Sequence, residues 1–241
     1  MKKLTLLAVF AASVVTLSGA VVAEWDFSKS LNTADGKFEF KPRVADLVKI
    51  TPEGADFSYP VKADTDAGIV SVKRYSEMTP PGAFEIAITF KPDMEAYYPK
   101  TKNKYSVLWD NKYYYYHKTD KPAYHGGMIV RANISNGNIG ATVYLGLGDH
   151  TEMIDGFWTK TDGKTFHTLK VKYDPAAGTL SFTWDNKKPV VRKVKKPAPL
   201  TMASYNLVIG DRYSSTRSPF KGVISKIVLS SVDTASAAEN K

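Results

Sequence analysis

Apolar and polar residues alternate along much of the chain, and this alternation predicts a β-protein. From residue 84 to 90 (FEIAITF), apolar side chains occupy every second position, and the pattern recurs at 169–173 and 180–184. Successive side chains of a strand point to opposite faces, so such segments are typical of strands with one buried face. Strands that recur at short spacing between turn sequences predict a sandwich or barrel.

Further strands are predicted at Tyr105–Trp109, Met128–Ala132 and Thr142–Leu147. Between the last two lies Asn136-Gly137-Asn138, whose Asn and Gly tolerate positive φ and favour a hairpin turn. The final strands are expected within 206–209 and 220–229. After the N-terminal region, no stretch keeps a helical 3.6-residue period over about 12 residues.

The N-terminal segment predicts export. Lys2 and Lys3 precede an apolar run that ends in the small residues of Val21-Val22-Ala23. This order is typical of a secretory signal peptide, and we expect cleavage after Ala23 and a periplasmic or secreted protein. The run could also just span a bilayer, but hydroxylated and small residues make it only mildly apolar. We therefore expect no membrane insertion after cleavage.

The chain is expected to form a signal peptide at residues 1–23, one domain at 24–232 and a flexible tail at 233–241. No linker rich in Gly, Ser or Pro divides the domain, and no internal repeat occurs. The sequence has no cysteine, so no disulfide partner exists and the fold must rest on its buried core.

The net charge of +9 at pH 7 makes the chain basic. Two of its lysines belong to the predicted leader, and most others are scattered, apart from Lys187-Lys188 and the run Arg192–Lys196. A basic exported protein favours anionic partners such as acidic polysaccharides. Nucleic acid is not expected as a partner outside the cytoplasm.

The order of these segments resembles the laminin-G-like domain of the concanavalin A-like lectin/glucanase superfamily. Phe166–Asp174 (FHTLKVKYD) is similar to the family strand WHHVAVTYD, and Gly178–Lys187 (GTLSFTWDNK) is similar to its hairpin GTLKLYVDGK. Phe84–Pro92 resembles the early strand FTIEAWVKP. Leu207–Gly210 and Pro219–Ile224 resemble the closing strand pair, although Ser-Lys follows where the family often has Asp-Glu.

The resemblance implies an all-β, two-sheet antiparallel jelly-roll sandwich of the concanavalin A-like type. Members bind glycans or proteins, or cleave polysaccharides, so the fold does not determine the function. Members often carry a structural calcium, for which Asp26, Asp174 and Asp211 are isolated candidates that we leave unassigned. No acidic run has the spacing of an EF-hand loop.

Catalysis remains an alternative, although we favour binding. The E-x-D-x-E motif of the glucanase branch, which places a catalytic carboxylate pair on one sheet face, is absent. A polysaccharide lyase needs a base, an acid and a group that stabilises the enolate, and Tyr, His, Arg and Asn supply these. The four histidines match no tight zinc-binding spacing.

Alternation places Arg131 and Asn133 on one face of their strand, and Tyr144 on the corresponding face of the next strand. An exposed aromatic ring beside a cation suits sugar recognition, whereas a simple cross-strand packing pair is the structural alternative. The segments 110–126 and 148–158 are interpreted as ligand-bearing loops beside this face. The predicted ligand-binding residues are Tyr114, Tyr116, His117, Tyr124, His125, Arg131, Asn133, Tyr144, His150 and Trp158.

The run DNKYYYYHKTD at residues 110–120 contains four consecutive tyrosines. If it is extended, Tyr113 and Tyr115 lie on one side and Tyr114 and Tyr116 on the other, so at most one pair meets a ligand. The leading hypothesis is an exported carbohydrate-binding domain with a preference for acidic polysaccharide. The alternatives are a polysaccharide lyase or glycoside hydrolase, and a protein-binding adhesion module.

Overall fold

The computed structural model describes residues 19–58, 67–97, 104–114, 126–213 and 218–232. The leader up to residue 18 and the tail from residue 233 lie outside this part of the chain. One short helix, α1 (Met94–Tyr97), and a 3₁₀ turn at Ser76–Met78 accompany the strands. The strands are β1 (Val21–Asp26), β2 (Phe40–Pro42), β3 (Lys49–Thr51), β4 (Gly54–Asp56), β5 (Ile69–Ser71), β6 (Phe84–Pro92), β7 (Lys104–Asp110), β8 (Met128–Ser135), β9 (Asn138–Leu147), β10 (His150–Lys160), β11 (His167–Asp174), β12 (Thr179–Trp184), β13 (Val190–Lys193), β14 (Val208–Ile209) and β15 (Gly222–Ser231).

The strands form two antiparallel sheets. Sheet 1 has the order β13-β12-β11-β6-β15-β4-β3, and β1 pairs with β15 in addition. Sheet 2 has the order β10-β9-β8-β7-β14-β5-β2. The predicted all-β, two-sheet antiparallel jelly-roll sandwich is therefore confirmed. Within the described residues, no helix is both long enough and apolar enough to cross a membrane.

The core between the sheets consists of the alternating apolar residues that the sequence indicates. Along β6, every second side chain from Phe84 to Pro92 is buried. Trp25 of sheet 1 and Trp109 of sheet 2 meet edge to face, with their ring centroids 6.1 Å apart. Trp184 packs against Phe90 at 5.9 Å, and Trp25 and Trp184 are both buried in the core.

The predicted hairpin between β8 and β9 is confirmed. Asn136 and Gly137 both have positive φ, as the turn requires. Ser135 pairs with Asn138, and the pairing continues to Met128 and Leu145. The register therefore places the side chains of the two strands in known cross-strand pairs.

The prediction that residues 148–158 form a loop is wrong. After a turn at Gly148-Asp149, these residues belong to β10, which pairs with β9 from His150–Leu147 to Lys160–Asn138. The pairing shifts between Asp155 and Trp158, so β10 contains a bulge. The bulge interrupts the alternation of apolar and polar residues, and this explains why the sequence of β10 does not predict a strand.

Strand β1 begins at Val21, three residues before the expected cleavage point. Val21 pairs with Ser230 and Ala23 with Leu229, and the Ser231 amide donates to the Ala20 carbonyl at 2.9 Å. Ala23 is buried in the core. Cleavage after Ala23 would thus remove the first half of an edge strand.

We expect a chain that begins at Glu24 to be less stable than one that begins at Ala20, by about 1–3 kcal/mol, because it loses ladder hydrogen bonds and the buried Ala23 methyl. Urea denaturation of the two chains measures this difference. A chain that begins at Val21 serves as the control and should unfold close to the longer form. Equal stability of all three would contradict a structural role for residues 21–23.

Candidate functional site

The outer face of sheet 2, away from the core, is organised by strand register into three cross-strand rows. The first row runs from β7 to β10 through Tyr105, Asn133, Gly140 and Trp158. The second contains Val107, Arg131, Thr142 and Asp155, and the third contains Ile129, Tyr144 and Met153. We call them row 1, row 2 and row 3.

Row 1 carries two exposed aromatic side chains at its ends. Tyr105 is 51% exposed and Trp158 is 57% exposed. Asn133 and Gly140 lie between them, and the three strand spacings separate the two aromatic positions by about 14 Å. The Trp158 indole lies against Gly140, where an added Cβ would come within 2.9 Å of the ring. The absence of a side chain at Gly140 therefore leaves room for the Trp158 ring to pack on the sheet.

Arg131 of row 2 lies between two tyrosines. Its guanidinium carbon is 4.0 Å from the Tyr105 ring centroid and 5.3 Å from that of Tyr144, in cation–π geometry. Arg131 and Tyr144 are thus neighbours, as the pairing of their strands predicts. Arg131 is only 9% exposed, so it supports the Tyr105 ring from beneath instead of facing solvent.

The expectation that Tyr144 is exposed is wrong. Tyr144 is 6% exposed and packs with Val107 and Ile129 in a small cluster on the outer side of the sheet. Strand β8 is buried on both faces, since seven of its eight residues are buried. Alternation identifies which side chains share this face, but neighbouring side chains decide which of them reach solvent.

A hydrogen-bonded chain connects rows 1 and 2. The Asn133 amide donates to the Thr142 hydroxyl at 2.7 Å, and that hydroxyl donates to the Asp155 carboxylate at 2.5 Å. Arg131 approaches the same hydroxyl at 3.5 Å. Asn133 Oδ1 is buried, and among the described residues it has no hydrogen-bond partner. Such an unpaired buried acceptor is uncommon.

Sequence reasoning missed Tyr105, Asp155 and Met153. A bulge shifts the pairing between Val107 and Trp109, so Leu108 and Trp109 both enter the core while Tyr105 faces outward. No alternating pattern could therefore have separated the two faces of β7. Asp155 and Met153 were hidden because their strand was interpreted as a loop.

Tyr114 belongs to a separate aromatic cluster at the end of β7. Tyr113 stacks on Tyr205 at 4.9 Å and meets Tyr114 edge to face at 4.5 Å, and Tyr205 contacts Tyr213 at 4.8 Å. Tyr113 has a φ of 75°, so the chain is not extended there. Tyr113 and Tyr114 contact each other, so the extended conformation on which the alternation depends is not present at Tyr113, and Tyr115 and Tyr116 lie outside the described residues.

Buried charge anchors this cluster. The Asp110 carboxylate accepts hydrogen bonds from the amides of Lys112, Tyr113 and Tyr213 at 2.8–3.1 Å. Burial raises the pKa of Asp110, and it lowers the pKa of Lys112 to about 8 although Asp110 opposes that shift. Arg212 donates to the Tyr113 carbonyl at 2.6 Å. Asp110 thus joins the two segments that carry the tyrosines.

The remaining predicted site residues lie apart from rows 1–3 or outside the described chain. His150 begins β10 and lies 3.0 Å from the Asp149 carboxylate. His167 is structural, since it stacks on Trp184 at 4.7 Å and bonds Asp185 at 2.9 Å. Tyr116, His117, Tyr124 and His125 lie outside the described residues.

The three candidate calcium ligands are engaged in separate local interactions. Asp26 pairs with Lys29, Asp174 accepts the Ala177 amide, and Asp211 accepts the amides of Arg212 and Ser218. In the part of the chain that the structure describes, no three His, Asp or Glu side chains group as a metal site would require. These residues therefore do not fit a shared calcium site.

No protein-family model and no curated protein sequence matches this chain. Among solved structures, the carbohydrate-binding module CBM40 of the Ruminococcus gnavus IT-sialidase, bound to α2,3-sialyllactose, has a TM-score of 0.44 at 14% identity, over 64% of this chain and 77% of that one. The binding domain of botulinum neurotoxin DC, in complex with rat synaptotagmin II, gives 0.49 at 10% identity, over 88% and 48%. The enzymatically active domain of tailspike protein 2 from bacteriophage CBA120 gives 0.47 at 10% identity, over 89% and 28%. Likeness at this level transfers neither a family nor a function to this chain.

Replacement of Thr142 by valine should destabilise the protein by about 1–3 kcal/mol, because the Asn133 amide loses its acceptor inside the sheet. Thr142→Ser retains the hydroxyl and should recover most of this loss. Urea denaturation of the two variants distinguishes the hydrogen bond from the effect of side-chain volume. Equal stability of Thr142→Val and the unaltered protein would contradict the network.

Proposed function

We propose that this protein binds a carbohydrate across row 1, on the outer face of sheet 2. The observation that carries the proposal is the pair of exposed rings, Tyr105 and Trp158, at the two ends of row 1. Aromatic rings bury the apolar CH faces of sugars and leave the hydroxyls free for hydrogen bonds. Asn133 and Gly140 are themselves buried, so the sugar would contact the exposed faces of the two rings and not the backbone between them.

Polar groups beside the rings support the same proposal. Asp155 is exposed, and its carboxylate can accept hydrogen bonds from sugar hydroxyls. Arg131 fixes the orientation of Tyr105 from beneath, so the ring needs little ordering when a ligand binds. A rigid aromatic surface with a few oriented polar groups is suited to sugar recognition.

We also propose that the chain is a laminin-G-like domain and that it prefers acidic polysaccharide. The family rests on the series of motifs quoted above. The proposed preference for acidic polysaccharide rests on the basic composition of the chain. Row 2 does not add to it, because the cation of Arg131 is combined there with the exposed carboxylate of Asp155. We propose binding without turnover, because the best lyase candidate on this face, Tyr144, is buried among apolar side chains.

Tyr105→Ala and Trp158→Ala should each weaken binding of the recognised oligosaccharide about tenfold, which corresponds to about 1.4 kcal/mol. Both side chains are more than half exposed, so the melting temperature should change by only a few degrees. A panel of neutral and acidic oligosaccharides, followed by calorimetric titration, measures the affinities.

Ile50→Ala, at an exposed apolar residue of sheet 1, is the control and should bind like the unaltered protein. Binding that survives loss of both rings would place the site elsewhere. Formation of unsaturated, ultraviolet-absorbing ends from a uronate polymer would replace the binding proposal with lyase activity.

We also propose that the protein is exported to the periplasm or beyond. The order of charge, apolar run and small residues at the N-terminus supports this location. Ser18-Gly19-Ala20 offers small residues at a position that would leave β1 whole after cleavage. Export of the full chain from a bacterial host should therefore yield a mature protein that begins at Val21, as its intact mass will show. A mass that begins at Glu24 would favour the later cleavage point, and an uncleaved chain retained in the cell would contradict export.

A further inference from the structure

A concave feature also lies next to Trp158. It is a groove of about 180 Å³ between β10 and the turn that joins β12 to β13. Aromatic side chains line its inner part, where the Phe157 and Trp184 ring centroids are 5.5 Å apart. Trp158, Thr159, Lys187 and Lys188 also line the groove.

The bulge in β10 creates this arrangement. Gly156 lies directly against Phe182, where an added Cβ would come within 2.6 Å of the ring. Phe157 then packs towards Trp184, and Trp158 returns to the outside of the sheet, opposite Gly140. As a result, Trp158, which ends row 1, also lines the groove.

Two lysines supply positive charge at the groove. Lys187 Nζ donates to the Thr159 hydroxyl at 2.9 Å, which holds its ammonium group beside β10. Lys188 is exposed next to it. Within the described ranges, no carboxylate lies within ion-pair distance of either ammonium, and the nearby Asp185 is already bonded to His167. Their charge is therefore available to a ligand.

The neighbouring Arg192 has a structural role. Arg192 donates to the backbone carbonyls of Asp155 and Gly156 at 3.1 and 2.8 Å. These bonds tie the edge strand β13 of sheet 1 to the bulge of sheet 2, and they hold the groove in place. Arg192 is thus a structural cation, and Lys187 and Lys188 are the cations that face the groove.

We propose that this groove is a subsite for a carboxylated sugar unit, with the carboxylate at Lys187 and Lys188 and the sugar ring against Trp158. A chain that crosses row 1 would place its next units here, because Trp158 belongs to both surfaces. This inference rests on the proposed function, and it assigns the preference for acidic polysaccharide to two residues outside the rows. Ammonium groups bind carboxylates as adaptable point charges, which suits a subsite at the edge of a sheet.

The test compares tetramers of galacturonate, mannuronate and guluronate with the uncharged methyl ester of each, by calorimetric titration. The unaltered protein should bind at least one acid about fivefold more tightly than its ester, as two exposed ion pairs permit. The double variant Lys187→Gln/Lys188→Gln should lose this preference and keep its affinity for the ester.

The matched control is Lys170→Gln/Lys172→Gln, which removes the same charge from β11 in sheet 1. It should retain the preference. Equal loss in both double variants would mean that net charge alone attracts the acid, and would overturn the subsite. Equal binding of acid and ester by the unaltered protein would also overturn it while leaving the proposed function intact. Failure to bind any oligosaccharide, neutral or acidic, would refute the proposed function and the subsite together.

Discussion

The register of strands β7 to β10 is the constraint on which the candidate site depends. It aligns Tyr105, Asn133, Gly140 and Trp158 in one row, although they are distant in sequence. A shift of one residue in any of these pairings would turn the side chains of that strand to the opposite face. The positive-φ turn at Asn136-Gly137 sets the central pairing, and bulges in β7 and β10 adjust the two outer ones.

The outer face of sheet 2 also buries polar groups that do not contribute to the inter-sheet core. Arg131, Asn133 and Thr142 are all buried there, and Arg131 is held between two tyrosine rings. Burial of a cation and of amide groups is costly unless partners compensate for the lost water. Here the compensation comes from the aromatic rings and from the hydroxyl that links Asn133 to Asp155. The result is a rigid support beneath an exposed aromatic ring.

Aromatic residues therefore have three distinct roles in this protein. Trp25 and Trp109 join the two sheets in the core. Tyr113, Tyr205 and Tyr213 pack together above the buried Asp110, which accepts amides from both of their segments. Among the aromatic residues that the structure describes, Tyr105 and Trp158 are the two that are more than half exposed, and these are the rings that we propose stack on a sugar. The groove beyond Trp158 adds positive charge to that surface.

The sequence by itself determined the alternating strands such as β6, β11 and β12 and the hairpin turn at Asn136-Gly137, because alternation and turn residues are local properties. It also predicted that the side chains of Arg131 and Tyr144 lie on the same face of the sheet. Only the tertiary structure decided that Tyr144 is buried and Tyr105 exposed, since exposure depends on side chains from neighbouring strands. The bulges at Leu108 and before Trp158 changed the faces of later residues, and the positive φ of Tyr113 ended the expected alternation of the tyrosines. Such local departures arise from contacts between distant segments, and no periodic pattern in one segment records them.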